Sequence, residues 1–182
     1  ARQDLNNIGG SISAVNSLNA SAGRDLNVQT TTRSASSNVG ANSFSRTTVD
    51  RVAGLYVSGA DGTLVASAGR DLNIVAGVVS NVGSGNTTLS AGNNASLSSV
   101  TTSSSDRDVW DANNYRKSSN SQDVGSQISG AGKVAISAGN DVNARVANVQ
   151  AREALNVEAA GNVNIVAGQA NSNFDEAHKF SG

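Results

Sequence analysis

The seven letters SAGRDLN stand at Ser21–Asn27 and return unchanged at Ser67–Asn73. Looser copies follow as SAGNNAS (Ser90–Ser96), SAGNDVN (Ser137–Asn143) and AAGNVN (Ala159–Asn164). A chain that rewrites one phrase in this way is building one supersecondary unit several times, and such units bury their apolar faces only by stacking. The apolar residue after the Asp or Asn of each copy serves as a marker: Leu5, Leu26, Leu72, Ala95, Val142 and Val163. A second set of strand starts precedes five of these markers by eight residues, at Leu18, Leu64, Thr87, Val134 and Leu155. Where nothing intervenes the steps are 13 and then 8 residues, as from Leu5 to Leu18 to Leu26, so one unit is 21 residues.

From each marker the side chains read in, out, in, as in Leu26-Asn27-Val28 and Leu155-Asn156-Val157. Alternation with period two marks strands. Short strands separated by Gly/Asn/Asp turns and repeated at fixed spacing predict an all-β fold, a right-handed parallel β-solenoid (β-helix) of about 21 residues per coil. The alternation points Leu26, Val28, Leu72, Ile74, Val134, Ile136, Val142, Leu155, Val157, Val163 and Ile165 inward. The phrase AG-[RN]-[DN] is then a corner. Gly23, Gly69, Gly92 and Gly139 sit where a positive φ or a close backbone approach is needed. Asp4, Asp25, Asp71, Asn94, Asp141 and Asn162 are expected to cap the strand that follows. Asn6, Asn27, Asn73, Asn143 and Asn164 share an outward column, broken by Ser96, whose amides can bond along the stack.

Composition agrees with this reading. The 182 residues contain no proline, as expected of a stack in which nearly every strand is central. Aromatic residues make up only 3%, so the core is a thin column of small aliphatics. With no cysteine there are no disulfides, zinc–thiolate sites or thiol chemistry. A net charge of −1 gives no electrostatic case for nucleic acid. No run of about 18 apolar residues exists to span a bilayer as a helix. No signal peptide is read at its start, and Ala1 is read as a boundary within a longer chain.

An Asp column invites a calcium or acid–base reading. It alternates Asp with Asn and supplies one carboxylate per coil, so capping is the better account. The one histidine, His178, lies in a polar tail without an orienting partner in sequence. No catalytic residue, metal site or cofactor is therefore expected, and the chain is read as no enzyme.

Two steps exceed the 13-residue spacing: Leu26 to Leu64 is 38 residues and Ala95 to Val134 is 39. Each excess suits a β-hairpin, so two β-hairpin insertions are expected, at about 29–57 and 98–128. Their turns centre near Gly40-Ala41-Asn42-Ser43 and on Asp111-Ala112-Asn113-Asn114. Four of the six aromatics fall in the inserts and two, Phe174 and Phe180, in the tail. Trp110 and Tyr115 either pair across their hairpin or touch a partner; with Phe44 they are the candidate contact residues at the hairpin tips. Inserts follow the second and fourth markers, so a third should follow the sixth, and 169–182 is read as its first arm, cut by the chain end. Hairpins two strands wide on every second coil would tile into one sheet beside the shaft.

The phrases SAGRDLN, SAGNDVN and GSQISGAGKVAISAG (Gly125–Gly139) resemble the haemagglutinin repeats of filamentous haemagglutinin-type exoproteins. The likeness runs from Arg2 to about Gly168 and is closest to the second repeat region of contact-dependent growth inhibition effectors. The resemblance implies export through an outer-membrane two-partner transporter to the outer cell surface. It further implies a shaft that continues into the remainder of the same filament, contact with an outer-membrane or cell-surface component of a neighbouring cell, and support for delivery of a C-terminal toxin. A host-directed adhesin without a toxin fits the same repeats. A carbohydrate-acting β-helix enzyme would need grouped acidic residues on one exposed face, and a flat ice-binding face would need aligned Thr; neither pattern is present.

Overall fold

The computed structural model describes residues 1–179; Phe180, expected in the tail, lies outside them. All regular structure among these residues is strand. The first coil runs through β1 (Leu5–Ile8), β2 (Ser11–Ala14) and β3 (Ser17–Ala22). After β4 (Leu26–Gln29) the chain leaves along β5 (Thr31–Val39), returns along β6 (Asn42–Arg51), and resumes with β7 (Gly54–Val57) and β8 (Thr63–Ala68). The uninterrupted third coil supplies β9 (Leu72–Val75), β10 (Val78–Asn81) and β11 (Thr87–Ala91). From β12 (Ala95–Ser98) a second excursion forms β13 (Val100–Asp111) and β14 (Asn114–Val124), followed by β15 (Gln127–Gly130) and β16 (Val134–Ala138). β17 (Val142–Arg145), β18 (Asn148–Ala151), β19 (Leu155–Ala159), β20 (Val163–Val166) and β21 (Ala170–Ala177) complete the order.

Three parallel sheets result, ordered β1-β4-β9-β12-β17-β20, β2-β7-β10-β15-β18 and β3-β8-β11-β16-β19. Successive strands visit the three walls in turn, which makes the shaft a β-solenoid. The register pairs Leu5 with Leu26, Leu26 with Leu72, Leu72 with Ala95, Ala95 with Val142 and Val142 with Val163. The second marker set pairs likewise, from Leu18 through Leu64, Thr87 and Val134 to Leu155. Like therefore stacks on like, and Leu26, Leu64, Leu72, Ile74 and Leu89 are wholly buried in the core between the walls.

The wall of β2, β7, β10, β15 and β18 was not anticipated from the repeat. The expected inserts 29–57 and 98–128 reach too far, because Gly54–Val57 and Gln127–Gly130 are strands of the shaft. Leu55 and Ile128 belong to the core, exposed by 0% and 1%. Tyr56, counted with the insert, is a shaft residue, and its ring covers Gly54 so closely that a Cβ there would overlap it.

Of the two reasons for a corner glycine, the structure shows the close approach, while the capping carboxylates depart from expectation. None of Gly23, Gly69, Gly92 and Gly139 is among the residues with positive φ. Close approach selects them: a Cβ on Gly92 would overlap the Gly69 carbonyl oxygen, and one on Gly139 the Gly92 oxygen. The carboxylates do not cap their own strand; they reach along the stack. Asp4 Oδ1 accepts the Asp25 amide, Asp71 Oδ1 that of Asn94, and Asp141 Oδ1 that of Asn162. The residue before the corner Asp or Asn reaches back: Arg24 donates two bonds to Asp4, Arg70 two to Asp25, and Asn93 one to Asp71. Asparagine amides form the parallel ladder, with Asn27 Nδ2 on Asn6 Oδ1 at 2.8 Å and Asn73 Nδ2 on Asn27 Oδ1 at 2.9 Å.

Leu155, Val163 and Ile165 keep the inward register but are 47%, 45% and 78% exposed, because β19 and β20 are the last strands of their walls among the described residues. A second departure is Thr87, which occupies a leucine/valine column: its buried Oγ1 has no hydrogen-bond partner. Leaving a hydroxyl buried and unpaired costs free energy that an apolar isostere would not. Thr87→Val should therefore stabilise the chain by about 1 kcal/mol, read as a higher urea midpoint at unchanged slope.

Four residues after the marker, Gly9, Ala76 and Val146 have φ of 63°, 47° and 54°. This left-handed residue turns the chain directly onto the next wall, and it occurs in the coils that carry no excursion. Ala76→Gly should leave the melting temperature unchanged or raise it. In the interior of β8, Ala66→Gly should cost about 1 kcal/mol, because only the first site favours glycine's freedom.

Candidate contact surface

The excursions form a fourth sheet, antiparallel and ordered β21-β14-β13-β6-β5. β5 and β6 turn at Gly40, whose φ of 60° suits a tight two-residue hairpin. β13 and β14 turn at Ala112-Asn113, where Asp111 Oδ1 accepts the Asn113 amide at 2.7 Å and Oδ2 accepts from the Asn114 side chain. The hairpins lie side by side with β6 paired to β13, from Ser43 opposite Arg107 to Thr47 opposite Ser103. β21 then pairs with β14, from Ala170 opposite Gln122 to Ala177 opposite Tyr115. No residue of these five strands is fully buried, so the sheet is a fin with both faces in water.

Buried hydroxyls fix the roots. Thr30, just before β5, donates to the Ala76 carbonyl and accepts the Ala53 amide at 3.1 Å. Ser126, just after β14, reaches the carbonyls of Ile74 and Ser98. Asp123 ties fin to shaft. One carboxylate oxygen accepts from Thr101 at 2.7 Å, and the other accepts from Arg145 at 2.9 Å and from the Gln169 amide at 3.1 Å. These donors, Thr101 foremost and then Arg145 and Gln169, hold the Asp123 carboxyl below its usual range. At the first corner, Arg24 does the same for Asp4, whose pKa falls to about 2. Both groups favour the folded state when ionised, so their contribution is present above pH 4 and is lost as pH falls through the depressed values.

The three candidate residues are not one cluster. Phe44 sits on β6 between Ser37 and Asp106 and is 44% exposed. Trp110 occupies a bulge at the tip of β13 and is 67% exposed. Tyr115 faces Val109, not Trp110, so the expected cross-strand Trp–Tyr pair does not form. Its hydroxyl lies 3.4 Å from Asp175, and Lys117 Nζ stands 4.2 Å from the ring centre. The row through Phe44 continues over Asp106 and Ser118 to Phe174, 61% exposed on β21. Phe174 and Asp123 are not legible as site residues in the sequence. Only the strand pairing brings Phe174 into line with Phe44, and Asp123 resembles any polar residue of a Ser-rich run. His178 pairs with Glu176 in the same exposed margin.

Residues 109–182 match the family model for the hemagglutinin repeat. The matched stretch begins at the tip of β13 and takes in the last two coils of the shaft. No curated protein and no solved structure matches the chain. Among the described residues no group of three or more His, Cys, Asp or Glu is placed to hold a metal ion. The corner carboxylates are instead committed to backbone amides and arginines.

Replacing Asp123 with Asn removes the charge shared by Thr101, Arg145 and Gln169. Asp123→Asn should speed hydrogen exchange at the fin root and the start of β21 while leaving the shaft amides protected. Lowering the pH from 5 to 2 should do the same to the native chain, and the substituted chain should respond less.

Proposed function

We propose that this chain is a structural and adhesive segment of a large secreted bacterial surface protein, in which the solenoid is a rigid shaft and the fin its contact surface. The observation that carries this reading is that hairpins from separate coils join into one sheet exposed on both faces, in a chain partly matching the hemagglutinin repeat. A fin without a core of its own contributes little to holding the shaft together, and its form suits display.

The finer reading is a right-handed solenoid with a basic coil of about 21 residues, supported by the pairing of Leu5 with Leu26 and Val142 with Val163. β21 is read as the first arm of a third hairpin, the segment assigned to 169–182. The likeness to two-partner-secretion exoproteins supports export through an outer-membrane transporter to the cell surface. The partner on this reading is an outer-membrane or cell-surface component of a neighbouring cell, and the shaft serves delivery of a C-terminal toxin in contact-dependent growth inhibition. Chemistry is not part of the role, and Phe44, Trp110 and Tyr115 serve contact.

The test is binding of the fluorescently labelled chain to intact bacterial cells by flow cytometry. Saturable binding is expected, weakened several-fold by Trp110→Ala, since exposed tryptophans at contact surfaces commonly dominate binding. Absence of saturable binding to any cell type tried would overturn the reading.

A further inference from the structure

Side chains two apart on a strand, and those opposite one another on paired strands, share a face. One face of the fin therefore carries the rows Ala35-Arg46-Ser104-Asn120-Ser172 and Ser37-Phe44-Asp106-Ser118-Phe174. Two shallow grooves of about 570 and 500 Å³ cross it and meet at Arg46. The first is lined by Thr48, Thr102, Ser104, Asn120 and Gln122, all uncharged donors and acceptors. The second runs past Phe44 to Asp106 and Asp108. Phe44 and Phe174 stand three strands apart, about 14 Å.

The opposite face is different in kind. Its rows are Ser36-Ser45-Ser105-Ser119-Asn173 and Ser34-Thr47-Ser103-Ser121-Asn171. Its one large ring, Tyr115, has Lys117 Nζ 4.2 Å from the ring centre, against 5.6 Å for Arg116 over Phe174; Phe44 has no such cation among the described residues.

We propose that the face bearing Phe44 and Phe174 binds a neutral polysaccharide laid across the strands, sugar rings against the two phenyl groups and hydroxyls in the grooves. This rests on the contact reading above and names the chemistry of the partner. A sugar ring presents an apolar C–H face and a rim of hydroxyls. It matches the exposed rings of Phe44 and Phe174 flanked by amides and hydroxyls; the groove of the opposite face, about 390 Å³, is smaller and is lined by Arg107, Lys117 and Asp175. Charge argues the same way: Arg33, Arg46 and Arg116 balance Asp106, Asp108 and Glu176, so neither a polyanion nor a basic peptide is favoured. Arg and Asp instead offer planar, two-pronged hydrogen bonds suited to neighbouring hydroxyls. An extended peptide would bind the edge of a sheet or fill apolar pockets, and these grooves are lined mostly by polar side chains.

The experiment titrates the whole chain by calorimetry with cellohexaose, maltohexaose, mannan and O-polysaccharide released from lipopolysaccharide, with heparin as the charged probe. At least one neutral probe should bind. Phe44→Ala and Phe174→Ala should each weaken it about three- to tenfold, the worth of one aromatic contact. Phe44→Trp should preserve binding and Ser105→Ala on the opposite face should leave it unchanged, with circular dichroism confirming the fold. Binding of heparin alone, abolished by salt, would overturn the proposal, as would neutral binding indifferent to Phe44→Ala. In the cell assay the neutral probe that binds should displace the labelled chain. Cell binding that no probe displaces and Phe44→Ala does not weaken would sink the polysaccharide site and leave the contact reading standing. Titration without cell binding would uphold the site and sink its cellular role.

Discussion

Everything in this molecule depends on parallel strands stacking in register at one spacing, about 4.8 Å. A coil of this size has no interior of its own; its inward side chains are covered only by the coils on either side. Any step out of register would set a leucine over an outward asparagine, so each position must repeat the chemistry of the position below. Repetition of letters is the sequence form of that constraint. It acts on polar groups as well as apolar ones, since Asp4, Asp71 and Asp141 each accept a backbone amide from the next coil. Half-exposed ion pairs such as Arg24–Asp4 contribute little stability each, but a ladder of them on one corner opposes slippage of one coil against the next.

The same spacing disciplines the fin. A hairpin is two strands wide, and excursions leave the second and fourth coils, with β21 following the sixth. One fin strand is thus available per coil, and the fin grows at the pitch of the shaft. That commensurability lets β6 meet β13 and β14 meet β21 without strain in either sheet. It also explains the composition of the hairpins. A lone two-stranded ribbon is marginal in water, and five strands bonded edge to edge are not lone ribbons. With backbone pairing supplying cohesion and the shaft fixing the roots, the side chains need bury nothing. Serine and threonine can fill both faces, and the few large residues, Val39, Phe44, Trp110 and Phe174, remain exposed.

The walls containing the markers were legible because Leu26, Leu72 and Val142 recur with the same neighbours; the pairing of Leu26 with Leu72 across a full hairpin follows from the letters alone. The remaining wall was not, for a physical reason. Its strands read SISA, GLYV, VVSN, QISG and NVQA, each with one large inward aliphatic and a second inward position that ranges over alanine, valine, asparagine and glycine. Asn81 takes that second position where its neighbours have Val57 and Gly130, and it spends its amide on the carbonyls of Gly62 and Gly85. A wall that tolerates valine, asparagine and glycine in one column leaves no pattern to count. The contact residues were legible only as aromatics in inserts. Which of them share a face depends on strand pairing between hairpins far apart in sequence, and the bulge at Trp110 removes it from the simple alternation that would have paired it with Tyr115.

A single backbone position separates the two kinds of coil. Four residues beyond the marker, Gly9, Ala76 and Val146 turn left-handed and the chain passes straight to the next wall. The equivalent positions elsewhere are Thr30, Ser99 and Ala167, after which the chain departs into the fin. Valine in a left-handed conformation is disfavoured, so Val146 is held there by its surroundings; a Cβ on Gly125 would overlap its carbonyl, which shows how tightly that corner is packed. The two outcomes also support each other across coils. The carbonyl of left-handed Ala76 accepts the buried hydroxyl of Thr30, so the closed corner of one coil helps anchor the open corner of the coil below. Alternation of plain and finned coils is therefore built into contacts between neighbours. A chain that placed two fins on consecutive coils would lose that acceptor as well as the room for the second hairpin.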